Sequence, residues 1–445
     1  MEPGRVGLRA EWLQLAAPRA PQLSHRNVLF SRGVHLLVIA LLLHGGAAVA
    51  QAPALKPAAE GTALIEALEV APLGVVGTIE ERSALDARGW RATVAVESAL
   101  VGTAEPGQRV VIAWEELASS RPPRFANGDR VLLALEPLVA GSLWRKRFGD
   151  SKEISTAYGV AQRGAAFLRM PSPGSVSILQ HYLLLPRDLR GGPAGQRHLV
   201  ALAADAQRPL ALSAARSLAA LPSGATLGTE EAALVLRALA RAESDAELAT
   251  SLLIWIERRQ PVGLIPALDA ALAAPAGAPA IFVRARGRLG EGLPAERERA
   301  LLASPSAALR AAAASVAGPA RAARLAELLR RDPAPEVRLE ALKRLARLEG
   351  PAALEPLLEA FDDTDSEVRN EAALHAAAFG PEVVPRLREV AGWPWPASQS
   401  AVLGLSRADS EESRAALVEL AEKHPDERVR TLAAVALGRS IGHKD

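Results

Sequence analysis

Glu336-Val337-Arg338-Leu339-Glu340-Ala341 returns as Glu367-Val368-Arg369-Asn370-Glu371-Ala372 and again as Arg428-Val429-Arg430-Thr431-Leu432-Ala433. Val337 to Val368 is 31 residues and Val368 to Val429 is 61, two such steps, so a degenerate copy lies between. A period near 30 accommodates two helices of about 12 residues joined by two short turns. The Val-Arg helix is the first of each unit. The second carries apolar residues at helical spacing, as Leu354, Leu357, Leu358 and Phe361 do at i, i+3, i+4 and i+7. Such a pair cannot bury its apolar face alone, so the units must stack into a solenoid.

Working outward, first helices are expected near Arg208, Asp245, Pro279, Ser306, Ala334, Asp365, Pro396 and Asp426, which makes about eight units over residues 197–442. The Val-Arg helix with a preceding acid resembles the HEAT repeat, and most closely the short bacterial variety first named from phycobilisome lyase subunits. Leu309-Arg310, Val337-Arg338, Val368-Arg369 and Val429-Arg430 carry the resemblance, while Gln399-Ser400 replaces Val-Arg in the seventh unit. The resemblance implies a structural ladder along the inner helices, built from Arg310, Arg338, Arg369 and Arg430 with Asp332, Asp363 and Asp426. A regularly placed guanidinium can bridge a carboxylate on the adjacent unit. The alternative is an anion-binding concave strip.

The texture before the solenoid is different. Gly74 to Glu80, Trp90 to Glu97, Gln108 to Trp114 and Val131 to Leu135 read as strands, with one or two more around Tyr158 and Phe167. Thr93, Ala95 and Glu97 alternate with Val94 and Val96, the period of a half-buried strand. Five or six strands with Gly-marked turns predict a small all-β barrel or sandwich over 64–170, joined through a hinge at 171–196 that opens with Pro171-Ser172-Pro173-Gly174. The fold class is thus multidomain, a small β-domain followed by an all-α HEAT-like superhelical solenoid. The order Val-Val-Gly-Thr-Ile-Glu, Val96-Glu97-Ser98-Ala99-Leu100-Val101-Gly102, Gly-Gln-Arg-Val-Val-Ile and Phe125-Ala126-Asn127-Gly128-Asp129-Arg130 resembles exported OB-like domains of the tissue-inhibitor-of-metalloproteinases type. Members often carry cysteines near the barrel mouth. This chain has none, so no cysteine-dependent binding mode carries over.

The N-terminus reads as an address. Val34 to Leu43 is apolar apart from His35, follows Arg26 and Arg32, and leads to Ala48 and Ala50 at the −3 and −1 positions of a signal-peptidase site. Residues 1–50 are therefore expected to leave by cleavage between Ala50 and Gln51, with 51–63 as a Pro/Ala linker and an exported, periplasmic or extracellular, mature chain. The apolar run is too short to span about 30 Å of hydrocarbon, so no stable membrane insertion is expected after cleavage. The leader takes five Arg and two Glu with it, leaving 47 basic and 48 acidic residues, about −1. A near-neutral chain has no bulk electrostatic attraction for nucleic acid.

Chemistry-bearing motifs are sparse. The sequence has no His-Glu-x-x-His, Gly-x-Ser-x-Gly, phosphate loop or Gly-x-Gly-x-x-Gly, and no cysteine for a disulfide, thiolate or metal site. Gly287-Arg288-Leu289-Gly290-Glu291-Gly292 is a helix stop. Glu371 and His375, at i and i+4, lack a third ligand and read as a helix-surface contact. Asp362-Asp363-Thr364-Asp365-Ser366-Glu367 resembles a calcium loop in its acids. It has Val368 and Leu374 where the turn Gly and final Glu belong, so it reads as N-capping charge. Two stretches are candidate partner-binding residues: Trp393 and Trp395 in Trp393-Pro394-Trp395-Pro396, and Trp144, Arg145, Lys146 and Arg147 before Phe148. The expectation is a non-enzymatic exported scaffold without cofactor or metal, binding a protein partner through the solenoid's concave surface or the β-domain. The alternatives are a carrier, lyase-like or chaperone-like subunit for a prosthetic group or client, and a β-domain inhibitor of an extracellular hydrolase.

Overall fold

The computed structural model describes residues 63–86, 88–115, 124–138, 156–161, 166–222, 226–273, 278–349 and 353–441. The expected leader, the linker up to residue 62 and the basic stretch Trp144, Arg145, Lys146 and Arg147 lie outside these residues. The described chain divides into two compact units, one running from residue 57 to 318 and the other from 319 to 445.

The first unit opens on a helix, α1 (Leu64–Val70), where the sequence reading expects the β-domain to start. Leu64, Ile65, Ala67 and Leu68 are all buried, so apolar residues at 64, 65 and 68 give one helical face rather than a strand's alternation. The strands follow: β1 (Leu73–Ala84), β2 (Gly89–Val101), β3 (Arg109–Glu115), β4 (Arg130–Pro137), β5 (Tyr158–Val160) and β6 (Phe167–Arg169). Their pairing closes on itself, since β1-β2-β3-β5-β4 run in order and β4 also pairs with β1. All pairs are antiparallel except β3 with β5, and β6 pairs with β4 beside β5. The result is a five-stranded barrel with one added strand, whose closure removes the free edges an open sheet would present. Thr93, Ala95 and Glu97 face outward while Val94 and Val96 are buried, as alternation predicts. Val75, Ile79, Val94, Ile112 and Leu133 fill the interior. Phe125 sits edge-on to Trp114 and Phe167, at 4.9 and 4.8 Å between ring centres.

The residues expected to form a hinge are helical instead: α2 (Pro173–Leu184), α3 (Arg187–Arg190) and α4 (Pro193–Ala203). Ser172 caps α2 through its hydroxyl, and Pro stands in the first turn of both α2 and α4. The Pro and Gly residues that suggested a flexible joint are helix-start chemistry. Then come α5 (Arg208–Ala220), α6 (Thr229–Ala242), α7 (Ala246–Arg259), α8 (Leu264–Ala273), α9 (Ala280–Arg286), α10 (Ala295–Leu302) and α11 (Ala307–Val316). Helix α1 packs on both β4 and α5. Gly74 permits this approach, since a Cβ there would stand 2.6 Å from Leu68 Cδ2.

The second unit holds α12 (Ala322–Arg331), α13 (Pro335–Glu349), α14 (Leu354–Glu359), α15 (Ser366–Ala377), α16 (Val384–Ala391), α17 (Ala397–Ala408), α18 (Glu411–Lys423) and α19 (Glu427–Ile441). Helices pack with their neighbours along the chain, and alternate first helices stack, α13 on α15, α15 on α17 and α17 on α19. All eight expected first-helix starts fall within one residue of a helix start. Val337, Val368 and Val429 are completely buried in the stack, which is why that position repeats.

Candidate functional site: the inter-unit turns and the interrupted repeat

Five of the eight first helices are entered through the same turn. Two residues before the N-cap, a side chain accepts the N–H two residues on: Asp205 from Gln207 at 2.8 Å, Ser304 from Ser306 at 3.2 Å, Asp332 from Ala334 at 3.0 Å, Asp363 from Asp365 at 2.8 Å, and His424 from Asp426 at 3.1 Å. In the last turn the acceptor is His424 Nδ1, so its Nε2 carries the proton and donates to the Ala391 carbonyl at 2.9 Å.

The ladder arginines hold the same turn from the helix side. In each, Nη1 donates to the carbonyls six and five residues earlier: Arg310 to Ser304 and Pro305 (2.8 and 3.1 Å), Arg338 to Asp332 and Pro333 (2.9 and 3.4 Å), Arg369 to Asp363 and Thr364 (2.7 and 3.1 Å), and Arg430 to His424 and Pro425 (2.7 and 3.0 Å). One guanidinium nitrogen thus satisfies carbonyls that a tight inter-helix turn strands without partners.

Arg338 also makes a rung to the next unit. Its Nε and Nη2 form a fork onto Asp363 Oδ2 and Oδ1 at 2.7 and 2.6 Å, with both side chains nearly buried at 10% and 7% exposure. A cleft of about 350 Å³ opens beside this rung, lined by Asp332, Pro356 and Thr364 among others, and its flanking charges are paired, Arg338 with Asp363 and Arg330 with Glu359.

Asp426 stands elsewhere. It occupies the N-cap site, the counterpart of Asp365 rather than Asp363, and its carboxylate is forked by Arg428. That contact holds its pKa down, to about 2. Asp365 likewise caps α15, accepting from the Glu367 and Val368 amides at 2.8 and 3.2 Å.

The seventh unit breaks the pattern at both positions. Counting from the N-caps Asp365 and Pro396, Pro394 stands where Asp363 stands, and Ser400 where Arg369 stands. Ser400 turns inward and donates to the Phe361 carbonyl at 3.2 Å. Trp393 and Trp395 flank Pro394, both half-buried, and the Trp395-Pro396 bond is cis. The Arg428 guanidinium lies 4.7 Å from the Trp395 ring centre, within cation–π range.

A second set of pairs joins the outer helices, and the sequence reading passes over it. Arg386 on α16 forks Glu355 on α14 at 3.0 and 2.7 Å, Arg330 on α12 meets Glu359 on α14, and Arg388 on α16 meets Glu419 on α18. Earlier in the array Arg208 forks Asp245, the N-cap of α7, at 2.5 and 3.0 Å. The signal is present as Glu355 to Arg386 and Arg388 to Glu419, each 31 residues and thus one repeat. Glu371 and His375 approach to 3.7 Å, and burial holds the imidazole pKa below its ordinary value against the pull of Glu371. No group of three His, Asp or Glu side chains placed to hold a metal occurs among the described residues, and no helix among them is long and apolar enough to cross a membrane.

Residues 295–378 and, overlapping them, 322–397 match the family model for HEAT repeats. Residues 295–397 are thus similar to HEAT repeats. Among solved structures the chain is similar to the Escherichia coli protein YibA, with 17% identity over 59% of this chain and 87% of that one, at a TM-score of 0.26. No curated protein matches the chain. The HEAT match spans the turn of Arg310, the Arg338–Asp363 rung and the break at Pro394, so the interruption lies inside the repeat array.

Proposed function

We propose that the protein is an exported, non-catalytic scaffold whose HEAT units hold a protein partner, with the barrel as a second interaction module. HEAT repeats generally mediate protein–protein interaction, and this supports the class of function. The observation that carries the reading to a place on the molecule is the interruption at Trp393-Pro394-Trp395-Pro396. A repeat that drops its Arg and its Asp, and substitutes two half-buried indoles, loses rung stability and gains amphipathic contact area. Trp is a frequent anchor of interfaces because it combines a large apolar face with a polar N–H.

The OB-like reading of the barrel is supported by its closing order and by the single parallel pair, β3 with β5. The short bacterial HEAT reading is supported by the 31-residue Val-Arg step. Two modules on one chain raise avidity for a partner that spans both. Export rests on the Val34 to Leu43 run and on Ala48 and Ala50. N-terminal sequencing of the protein recovered outside the cytoplasm should begin at Gln51, and an intact leader there removes this part of the proposal.

The decisive experiment is capture from the source cells' own periplasmic and supernatant fractions on immobilised 51–445, beside the Trp393→Ala/Trp395→Ala variant. A protein retained by the parent and lost with the variant is the expected result. Capture that is indifferent to the variant places the interface elsewhere. Failure to capture any protein, together with a small molecule bound to the purified chain by mass spectrometry, replaces the scaffold with the carrier reading.

A further inference from the structure

The rung between Arg338 and Asp363 shows what this guanidinium does when complete: one nitrogen holds its own turn, and the remaining edge forks a carboxylate of the next unit. Asp363 lies 25 residues after Arg338. Twenty-five residues after Arg369 stands Pro394. Arg369 keeps the anchoring half of the arrangement, with Nη1 on the Asp363 and Thr364 carbonyls. Its Nε and Nη2 have no partner among the described residues. The Arg369 side chain is half-buried, and Pro394, at the position of the missing carboxylate, is exposed and brings no side-chain acceptor.

The swap is consistent on the other side of the turn. Asp363 has a second task, accepting the Asp365 amide. The counterpart of Asp365 is Pro396, which brings no N–H, so nothing in the turn calls for an acid at 394. The acid of this rung is absent while its base is retained and held in place.

We propose that Arg369 is an unfilled rung, whose free edge takes a carboxylate from an acidic peptide of the partner laid against Pro394 between the two indoles. This rests on the scaffold reading and specifies the partner's chemistry at the interrupted unit. An Arg fixed by two carbonyl bonds has little rotamer freedom left to lose, and its fork matches a carboxylate in two parallel hydrogen bonds. The flanking Trp393 and Trp395 offer apolar contact to the residues beside that acid.

The test uses fluorescein-labelled hexaglutamate, with hexaglutamine as the neutral control, in fluorescence anisotropy against the full mature chain at low salt. The parent should bind hexaglutamate and not hexaglutamine. Arg369→Gln and Arg369→Lys should each weaken binding about ten-fold or more, because the first removes the charge and the second removes the fork. Pro394→Asp should weaken it as much by supplying the missing carboxylate from within, and should raise the melting temperature rather than lower it. Arg388→Gln makes the same change in net charge on an outer helix, and should stay within about two-fold of the parent. Equal weakening by Arg388→Gln, or parent-like binding by Pro394→Asp, overturns the proposal. So does parent-like binding by Arg369→Lys, the variant that still decides the matter if Pro394→Asp fails to fold. Capture of a partner that depends on Trp393 and Trp395 but ignores Arg369→Gln leaves the scaffold standing while this inference falls.

Discussion

Arg338 does two things with one guanidinium, and removing it strands two sets of groups. The Asp332 and Pro333 carbonyls lose their donor, and the Asp363 carboxylate, 7% exposed, loses its counter-charge. Arg338→Met should therefore cost about 3–5 kcal/mol in a urea titration of the full chain, the penalty of an uncompensated buried charge. The double variant Arg338→Met/Asp363→Asn removes the stranded charge, keeps an acceptor for the Asp365 amide and should recover part of that loss, and a double variant no better than the single would remove the pair from the account. Glu66 on α1 gives the residue scale its pH dependence. Burial raises its pKa, although the Ser213 hydroxyl, at 2.9 Å, and Arg216 favour the ionised form. A carboxyl whose folded pKa is raised favours the fold while protonated, and the unfolded chain gives up its proton first. Stability from this group is present below the ordinary carboxyl range, about 4.3, and declines as pH climbs from there through the folded value. Urea midpoints of the parent should fall from pH 5 to pH 8 by more than those of Glu66→Gln, which keeps an acceptor for Ser213 without the charge. The assignment of Asp426 to the ladder failed on a count of two residues. Asp332 and Asp363 precede their valines by five positions and Asp426 precedes Val429 by three, a difference visible in the letters but masked by the acid-rich start of α19.

Among the elements, the Val-Arg helices were legible because burial repeats there: the fully buried Val337, Val368 and Val429 leave marks 31 and 61 residues apart. Strand β2 was legible for the same reason at period two, and β4 as an unbroken apolar run, Val131 to Leu135, that is buried throughout. Helix α1 was not. Seven residues give fewer than two helical turns, and its helical state is set by docking on β4 and α5, long-range contacts that no local window contains. The helices at 173–203 hid behind their own Pro and Gly start signals. The stop at Gly287 was readable as a stop, yet its physical cause is tertiary. Gly287 has an ordinary φ of −67°, and a Cβ there would meet the Cβ and Cγ2 of Val316 at 2.4 Å, so the position is small because α11 passes close by. Gly287→Ala should cost about 1–3 kcal/mol by overpacking. Gly287→Ala combined with Val316→Ala should cost less than the two changes added separately, and strict additivity would deny the contact.

At the scale of the whole molecule, the near balance of 47 basic and 48 acidic residues after Ala50 sets an expectation for partners. Arginines such as Arg338 and Arg386 are committed to turn carbonyls and inter-unit carboxylates, which leaves them unavailable for phosphate. The 51–445 chain should show no DNA or RNA retardation at about 0.15 M salt, and retardation that weakens steeply with added salt would contradict this. Helix α1 carries a different consequence, one of timing. Its Ile65 amide ends on Ser213 Oγ, 148 residues further along the chain. A ribosome adding about 5–20 residues per second delivers that partner roughly 7–30 s after α1 has emerged. The whole barrel is synthesised within that interval and can close on its own strands, while Leu64, Ile65 and Leu68 wait uncovered. The earliest of the described helices is thus among the last parts of its unit to be finished, and a chaperone that recognises short apolar segments has a long opportunity there.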